Sequence, residues 1–367
     1  MKKLIKLVKK NTIWNVARVI TAVLVMTLII GSFTGCNNQS SDGNTGGKKV
    51  LKVYNWGDYI DESVIDDFEE KYGIEVIYDT FATNEDMYVK IKSGGSDYDV
   101  AIPSDYMIER MIDEGMLEKI NFENVPNFKY IDDRFKNLAY DPTNEYSVPY
   151  MWGTLGIIYN KTMVDDPVDS WEILWNEKYA KQIFMLDSSR DSIGITLKKL
   201  GYSLNSRNEK ELEEAKKELI KQKPLVLSYM GDDVKDAMIA GQAALAVVWS
   251  GDAVYMKWEN SDLEYVIPKE GSNLWFDSMV ILKGSKNKEA AELFINYMCD
   301  PEVALKNTKY IGYSTPNTET KKMLDEDILN DPTAYPPDEL LEKCEVFESV
   351  KDVVKLYDRI WTEVKAS

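Results

Sequence analysis

The sequence predicts an α/β fold. Three observations carry the prediction. Short apolar runs recur between amphipathic stretches, residues that cap helices stand just ahead of those stretches, and glycine or proline often follows them. Strand and helix signals therefore alternate, as they do in layered α/β domains. Beyond the N-terminal segment the chain still exceeds 300 residues, enough for two lobes with separate cores.

Taken in order, Lys49 to Trp56 alternates apolar and polar residues as a strand does. Asp61 is placed to cap a helix over Glu62 to Tyr72, with Val64, Ile65 and Phe68 on one face and Gly73 as its stop. Ile74 to Phe81 predicts a strand. Asn84 is expected to cap a helix through Met87, Tyr88 and Ile91 that ends at Gly94-Gly95. Tyr98 to Pro103 reads as a strand, and Asp105 as the cap of a helix reaching Asp113. Loops at the C-terminal ends of such strands form a crevice.

A second unit follows. Tyr146 to Tyr159 is strand-like, and Ser170 caps a helix bearing Trp171, Leu174 and Trp175. Gln182 to Leu186 is a strand, Ser192 to Leu200 a helix, and Glu209 to Gln222 a charge-laced helix stopped by Pro224. Leu225 to Tyr229, Ala243 to Trp249, Glu264 to Ile267 and Met279 to Leu282 predict strands. Helices are expected over Lys288 to Cys299 and Val346 to Ala366.

The N-terminus reads as a targeting segment and is excluded from the fold. Lys2, Lys3, Lys6, Lys9 and Lys10 form a basic stretch ahead of an apolar run from Val19 to Ile30, too short for a comfortable membrane span. Gly31-Ser32-Phe33-Thr34-Gly35-Cys36 resembles a bacterial lipobox, with Phe33 where Leu is usual. Residues 1–35 are then a lipoprotein signal peptide, Cys36 the lipid anchor, and 36–49 a flexible Ser/Gly/Asn tether. The alternative is an uncleaved anchor helix. Either way the chain is expected at the outer face of the cytoplasmic membrane.

Formal charge is −18. Residues 1–35 carry five Lys, one Arg and no acid, so the remainder sits near −24. Such a balance disfavours nucleic acid and anionic lipid as partners and suits a cationic ligand, although solubility alone also favours acidic exported proteins. Arg is scarce, which weighs against anionic ligands that want a guanidinium fork. The chain has no His, which removes His-dependent triads and most zinc sites. No metal or cofactor is expected. Cys299 and Cys344 are either a disulfide or two separate thiols; sequence leaves both open.

Four aromatic–acid clusters carry the chemistry: Tyr54-Asn55-Trp56-Gly57-Asp58-Tyr59, Ser188-Ser189-Arg190-Asp191, Trp249-Ser250-Gly251-Asp252 and Trp275-Phe276-Asp277. A flexible diammonium or triammonium ligand needs carboxylates for its charged ends and flat rings for its methylenes. Most of these clusters fall where predicted strands hand over to loops or helices, where pockets form. Individually, Asp191 and Asp252 also fit helix caps, and Trp56 and Trp249 fit a core. Asp277 sits among Trp275, Phe276 and Met279, where an unpaired carboxylate is costly unless a cation satisfies it.

The chain resembles the spermidine/putrescine-binding proteins of bacterial polyamine ABC transporters from Leu51 to its C-terminus. The resemblance rests on Tyr54-Asn55-Trp56, Ile102-Pro103-Ser104, Ser147-Val148-Pro149-Tyr150-Met151-Trp152-Gly153, Trp275-Phe276-Asp277-Ser278 and Ile311-Gly312-Tyr313-Ser314-Thr315-Pro316-Asn317. It implies a two-lobed periplasmic-binding-protein-like fold with crossing hinge strands, one lobe from 50–153 and 278–322 and the other from 154–277 and 323–367. It further implies that Trp56, Asp58 and Tyr59 form one wall of the interlobe cleft. Ser104 is a polar contact and Tyr106 an aromatic lid. Asp191 is the acid for a terminal amine, Trp249 the platform under the alkyl chain, Trp275 and Asp277 an aromatic–acid pair, and Tyr313 a further aromatic. Asp252 matches putrescine-preferring members and Tyr106 spermidine-preferring ones, while Ser188 stands where the latter carry Asp. The expected activity is capture of a polyamine and delivery to an ABC permease by a monomer, without catalysis. Two other classes are weighed beside it. A glycoside hydrolase would use paired carboxylates, but no acid–nucleophile pair stands out. A receptor for sugars, ferric ion or cationic peptides would share the fold.

Overall fold

A computed structural model describes residues 49–94 and 97–367. The leader 1–35, Cys36, the tether up to residue 48 and Gly95 lie outside the described residues. The remainder is the two-lobed α/β fold with crossing strands.

Strand β1 (Lys49–Trp56) pairs in parallel with β2 (Ile74–Phe81) and β3 (Val100–Ala101). Helix α1 (Glu62–Tyr72) connects the first pair; the Asp61 carboxylate accepts from Ser63 N, and Gly73 closes the helix at φ 66°. Helices α2 (Asn84–Lys92) and α3 (Asp105–Asp113) follow β2 and β3. Short β4 (Leu117–Glu118) lies beside β10 (Leu274–Leu282), which runs antiparallel to β3 and β5 (Ser147–Asn160).

β5 is the hinge of the architecture. Its first part, Ser147 to Thr154, pairs with β10; its second part, Leu155 to Asn160, pairs with β8 (Leu245–Trp249) and β9 (Leu263–Val266). The second lobe continues through β6 (Ile183–Leu186) and β7 (Val226–Met230), giving the order β2-β1-β3-β10-β5-β8-β6-β7. Helices α4 (Ser189–Lys199), α5 (Glu209–Gln222), α6 (Val234–Ile239) and α7 (Ser250–Glu259) cover it. Helices α8 (Lys288–Met298), α9 (Pro301–Ile311) and α10 (Thr318–Met323) lead through two single helical turns to α11 (Val354–Ala366).

Period-two alternation sorts β1 between two cores. Leu51 and Val53 join Phe68, Ile281 and Phe294, whereas Tyr54 faces Phe81, Met107 and Val280. In the second lobe Ile157 and Ile158 divide in the same way between two further clusters.

Several local expectations shift. Thr83, not Asn84, caps α2, and Ser104, not Asp105, occupies the cap position of α3. Asp105 is buried instead, where its carboxylate accepts from the backbone N–H groups of Tyr106 (2.7 Å) and Phe276 (3.0 Å). The strand expected over Tyr98 to Pro103 narrows to two residues. The segment around Trp171 winds as a 3-10 turn (Trp171–Trp175), and α11 begins at Val354 rather than Val346. Cys299 and Cys344 are separate thiols.

Candidate functional site

A cavity of about 340 Å³ opens where β1, β8 and β10 end or cross, and all eleven residues singled out from the sequence line it: Trp56, Asp58, Tyr59, Ser104, Tyr106, Asp191, Trp249, Asp252, Trp275, Asp277 and Tyr313. Eight carboxylates reach its wall, from Asp58, Glu85, Asp105, Asp187, Asp191, Asp232, Asp252 and Asp277. Two cationic side chains, Arg190 and Lys235, face them. The wall is thus strongly negative inside a concave, partly apolar surface, a setting that concentrates field and draws cations.

Asp277 is buried in the cavity wall. A β-bulge between Asp277 and Ser278 interrupts the pairing with β5. The Tyr59 hydroxyl donates to Asp277 Oδ2 at 2.8 Å, while Oδ1 has no partner among the described residues. Burial pushes this carboxyl up to about 7; the nearby Ser104 hydroxyl, outside hydrogen-bond geometry, and the Tyr59 hydroxyl pull it down. An edge-on series of rings surrounds it: Tyr59 meets Tyr150 at 5.3 Å and Tyr313 at 5.5 Å, and Tyr313 meets Trp275 at 5.0 Å. Trp56 is fixed by its indole N–H, which donates to Ile102 O at 2.9 Å, and by Phe81 at 4.5 Å.

A second acidic group gathers around α7. Trp249 ends β8 and starts this helix, so Asp252 stands in the first turn, where the helix dipole favours an anion. Burial nevertheless raises its carboxyl to about 6; Lys235 acts in the opposite direction. Lys235 Nζ lies 3.2 Å from Asp58 Oδ2 and 3.8 Å from Asp252 Oδ1. Burial works to lower the Lys235 ammonium, but Asp252, Asp232 and Asp58 together leave it raised. Asp58 takes the left-handed conformation, φ 50°, which a short polar side chain tolerates. Gly251 is required by close approach, since a Cβ there would collide with the Tyr313 ring.

A third group sits at the start of α4. Ser188 caps the helix, accepting from Asp191 N at 3.4 Å and donating to Asp191 Oδ2 at 2.6 Å. The Asp191 carboxyl is raised to about 6, chiefly by burial, with Ser188 and Arg190 opposing. Arg190 is spent elsewhere. Its guanidinium donates to Glu348 O and Asn205 Oδ1 and lies 4.4 Å from the Phe347 ring centre. Opposite, the Tyr106 hydroxyl donates to Glu85 Oε1 at 3.0 Å and accepts from Asn84 Nδ2 at 3.2 Å, and Asn84 also holds Ser104.

Sequence reasoning missed Asn84, Glu85, Asp105, Asp232, Lys235 and Phe347. Gly231-Asp232-Asp233 follows a strand, the same placement that singled out the other acids. Lys235 carried no signal, since its charge is opposite to that of its surroundings. Among the described residues no group of three or more Asp, Glu or Cys is arranged to hold a metal ion. Chemically, buried carboxylates flanked by indole and phenol faces can grip ammonium groups and their methylenes.

Comparison with known proteins matches residues 63–336 to the bacterial extracellular solute-binding protein family. The chain is 36% identical over 329 residues to the spermidine/putrescine-binding periplasmic protein of Salmonella typhimurium, covering 89% of this chain and 93% of that protein. A solved Listeria monocytogenes structure, described as a spermidine/putrescine ABC transporter, superposes with TM-score 0.84 at 45% identity, covering 86% of this chain and 99% of the other. The Treponema pallidum lipoprotein Tp0655 superposes with TM-score 0.77 at 29% identity over the same shares.

Proposed function

This chain belongs to the bacterial extracellular solute-binding protein family, among its spermidine/putrescine-binding periplasmic relatives, and we propose that it captures spermidine or putrescine and delivers it to an ABC permease. The observation that carries the reading is Asp277. A buried carboxylate with one oxygen unpartnered and three aromatic rings nearby is expensive to keep charged, and an ammonium group repays that cost.

The eleven residues take the following roles. Asp191 and Asp277 hold ammonium ends. Trp56, Trp249 and Trp275 pack the methylenes. Asp58 stands with Trp56 and Tyr59 on one wall of the cleft, Tyr59 and Tyr313 orient Asp277 and Asp252, and Ser104 and Tyr106 close the remaining side. The lobes, 50–153 with 278–322 and 154–277 with 323–367, close on the ligand, whose contacts bias an open–closed equilibrium. Cys36 carries the lipid that tethers a monomer outside the cytoplasmic membrane; the Treponema pallidum relative, itself a lipoprotein, supports this.

Several contacts of about 1.5–3 kcal/mol each, less association and closure costs, are enough for micromolar binding, about −8 kcal/mol. Calorimetry with spermidine and putrescine tests the proposal, beside a thermal-shift panel of sugars, Fe³⁺ and calcium. Heat and stabilisation with the amines alone are expected. Silence with both amines on folded protein ends it.

A further inference from the structure

We propose that Lys235 limits how many ligand ammonium groups the cavity accepts, because its own ammonium already stands between Asp58 and Asp252. The inference rests on the polyamine reading above and sharpens it. Lys235 Nζ is 3.2 Å from Asp58 Oδ2 and 3.8 Å from Asp252 Oδ1, and its side chain is only 15% exposed. It is therefore part of the wall rather than a solvated surface lysine. Asp232 joins the same cluster from across the turn, where a Cβ on Gly57 would come within 3.2 Å of its Oδ2. Two carboxylates in ion-pair reach of one lysine, with Asp232 adding to the negative field it faces, make a cation site that the chain fills itself.

The other acids divide into spent and unspent. Asp187 pairs with Lys365 at 2.7 Å, Glu85 is exposed and solvated, and Asp105 receives two backbone N–H groups. Asp191 and Asp277 are buried, and among the described residues neither has a lysine or arginine within ion-pair distance. Two such carboxylates match the two ends of a diamine. The third ammonium of a triamine has to enter the Asp58–Asp252 end, against the like charge of Lys235.

The test is calorimetry with putrescine and spermidine on the protein and on its Lys235→Met and Lys235→Arg variants. Lys235→Met keeps the side-chain length and removes the charge. It should shift the ratio of the two affinities toward spermidine by about tenfold, while Lys235→Arg should leave the ratio within about twofold. A folded Lys235→Met variant that binds both amines in the original ratio, or loses both equally, overturns the proposal. If that variant does not melt cooperatively, Lys235→Gln is read by the same ratio. Failure of the unsubstituted protein to bind either amine defeats the polyamine reading itself and is distinct from an unchanged ratio.

Discussion

The Asp277→Asn substitution should make the ligand-free protein more stable and much poorer at binding. In the folded chain the Asp277 carboxyl releases its proton only near 7, against a usual value of 3.8, because burial penalises the anion. Between these values the folded state holds a proton that the unfolded state has lost, so stability falls as pH rises from about 4 to 7. Above 7 the full cost stands. A span of about three pH units at about 1.36 kcal/mol each amounts to about 4 kcal/mol. The neutral amide would escape that cost and still offer an oxygen to the Tyr59 hydroxyl. Thermal melts without ligand should therefore show the variant well above the original at pH 8 and level with it at pH 4. Calorimetry at pH 8 should show spermidine and putrescine affinity reduced by about 2–5 kcal/mol, the scale for truncating one side of a buried charged pair. A variant that binds within about threefold of the original, or that melts lower at pH 8, would refute the reasoning.

Affinity should fall as pH is lowered, because Asp277 near 7 and Asp191 and Asp252 near 6 must be ionised to hold ammonium; a flat dissociation constant between pH 8 and 5 contradicts this. Gly251→Ala forces Tyr313 aside and should cost about 1–3 kcal/mol of stability, as overpacking does, together with measurable affinity. Ser188→Ala removes the cap of α4 at about 1 kcal/mol and takes from Asp191 the hydroxyl that lowers its pKa, so binding should suffer more at pH 6 than at pH 8. Phe68→Ala empties a fully buried position against Phe294 and should cost about 3–5 kcal/mol while leaving the dissociation constant of the folded protein unchanged.

The strand–helix alternation was legible because each element obeys a strong local rule. Asp61 and Gly73 bracket α1 as written, and the bounds of α5 match the charge pattern from Glu209 to Gln222. Cap identity was not legible where good caps adjoin. Thr83 precedes Asn84 and Ser104 precedes Asp105, and local propensity barely separates such neighbours. Tertiary demand decided: Asp105 is drawn inward to the Phe276 amide, a contact 171 residues away in sequence. The site was readable as acids and indoles at strand ends. Lys235 was not, because a half-buried lysine among carboxylates is defined only by the neighbours that folding brings to it.

Because β5 serves both sheets with one uninterrupted backbone, neither half of the molecule is a severable module. A protease nick near Thr154 would strip each side of a central ribbon at once, so partial melting has no comfortable resting point. The closure proposed above would have to pass through the peptide units around Gly153 and Gly156, beside which Ser250, Trp275 and Tyr265 leave no room for a methyl group.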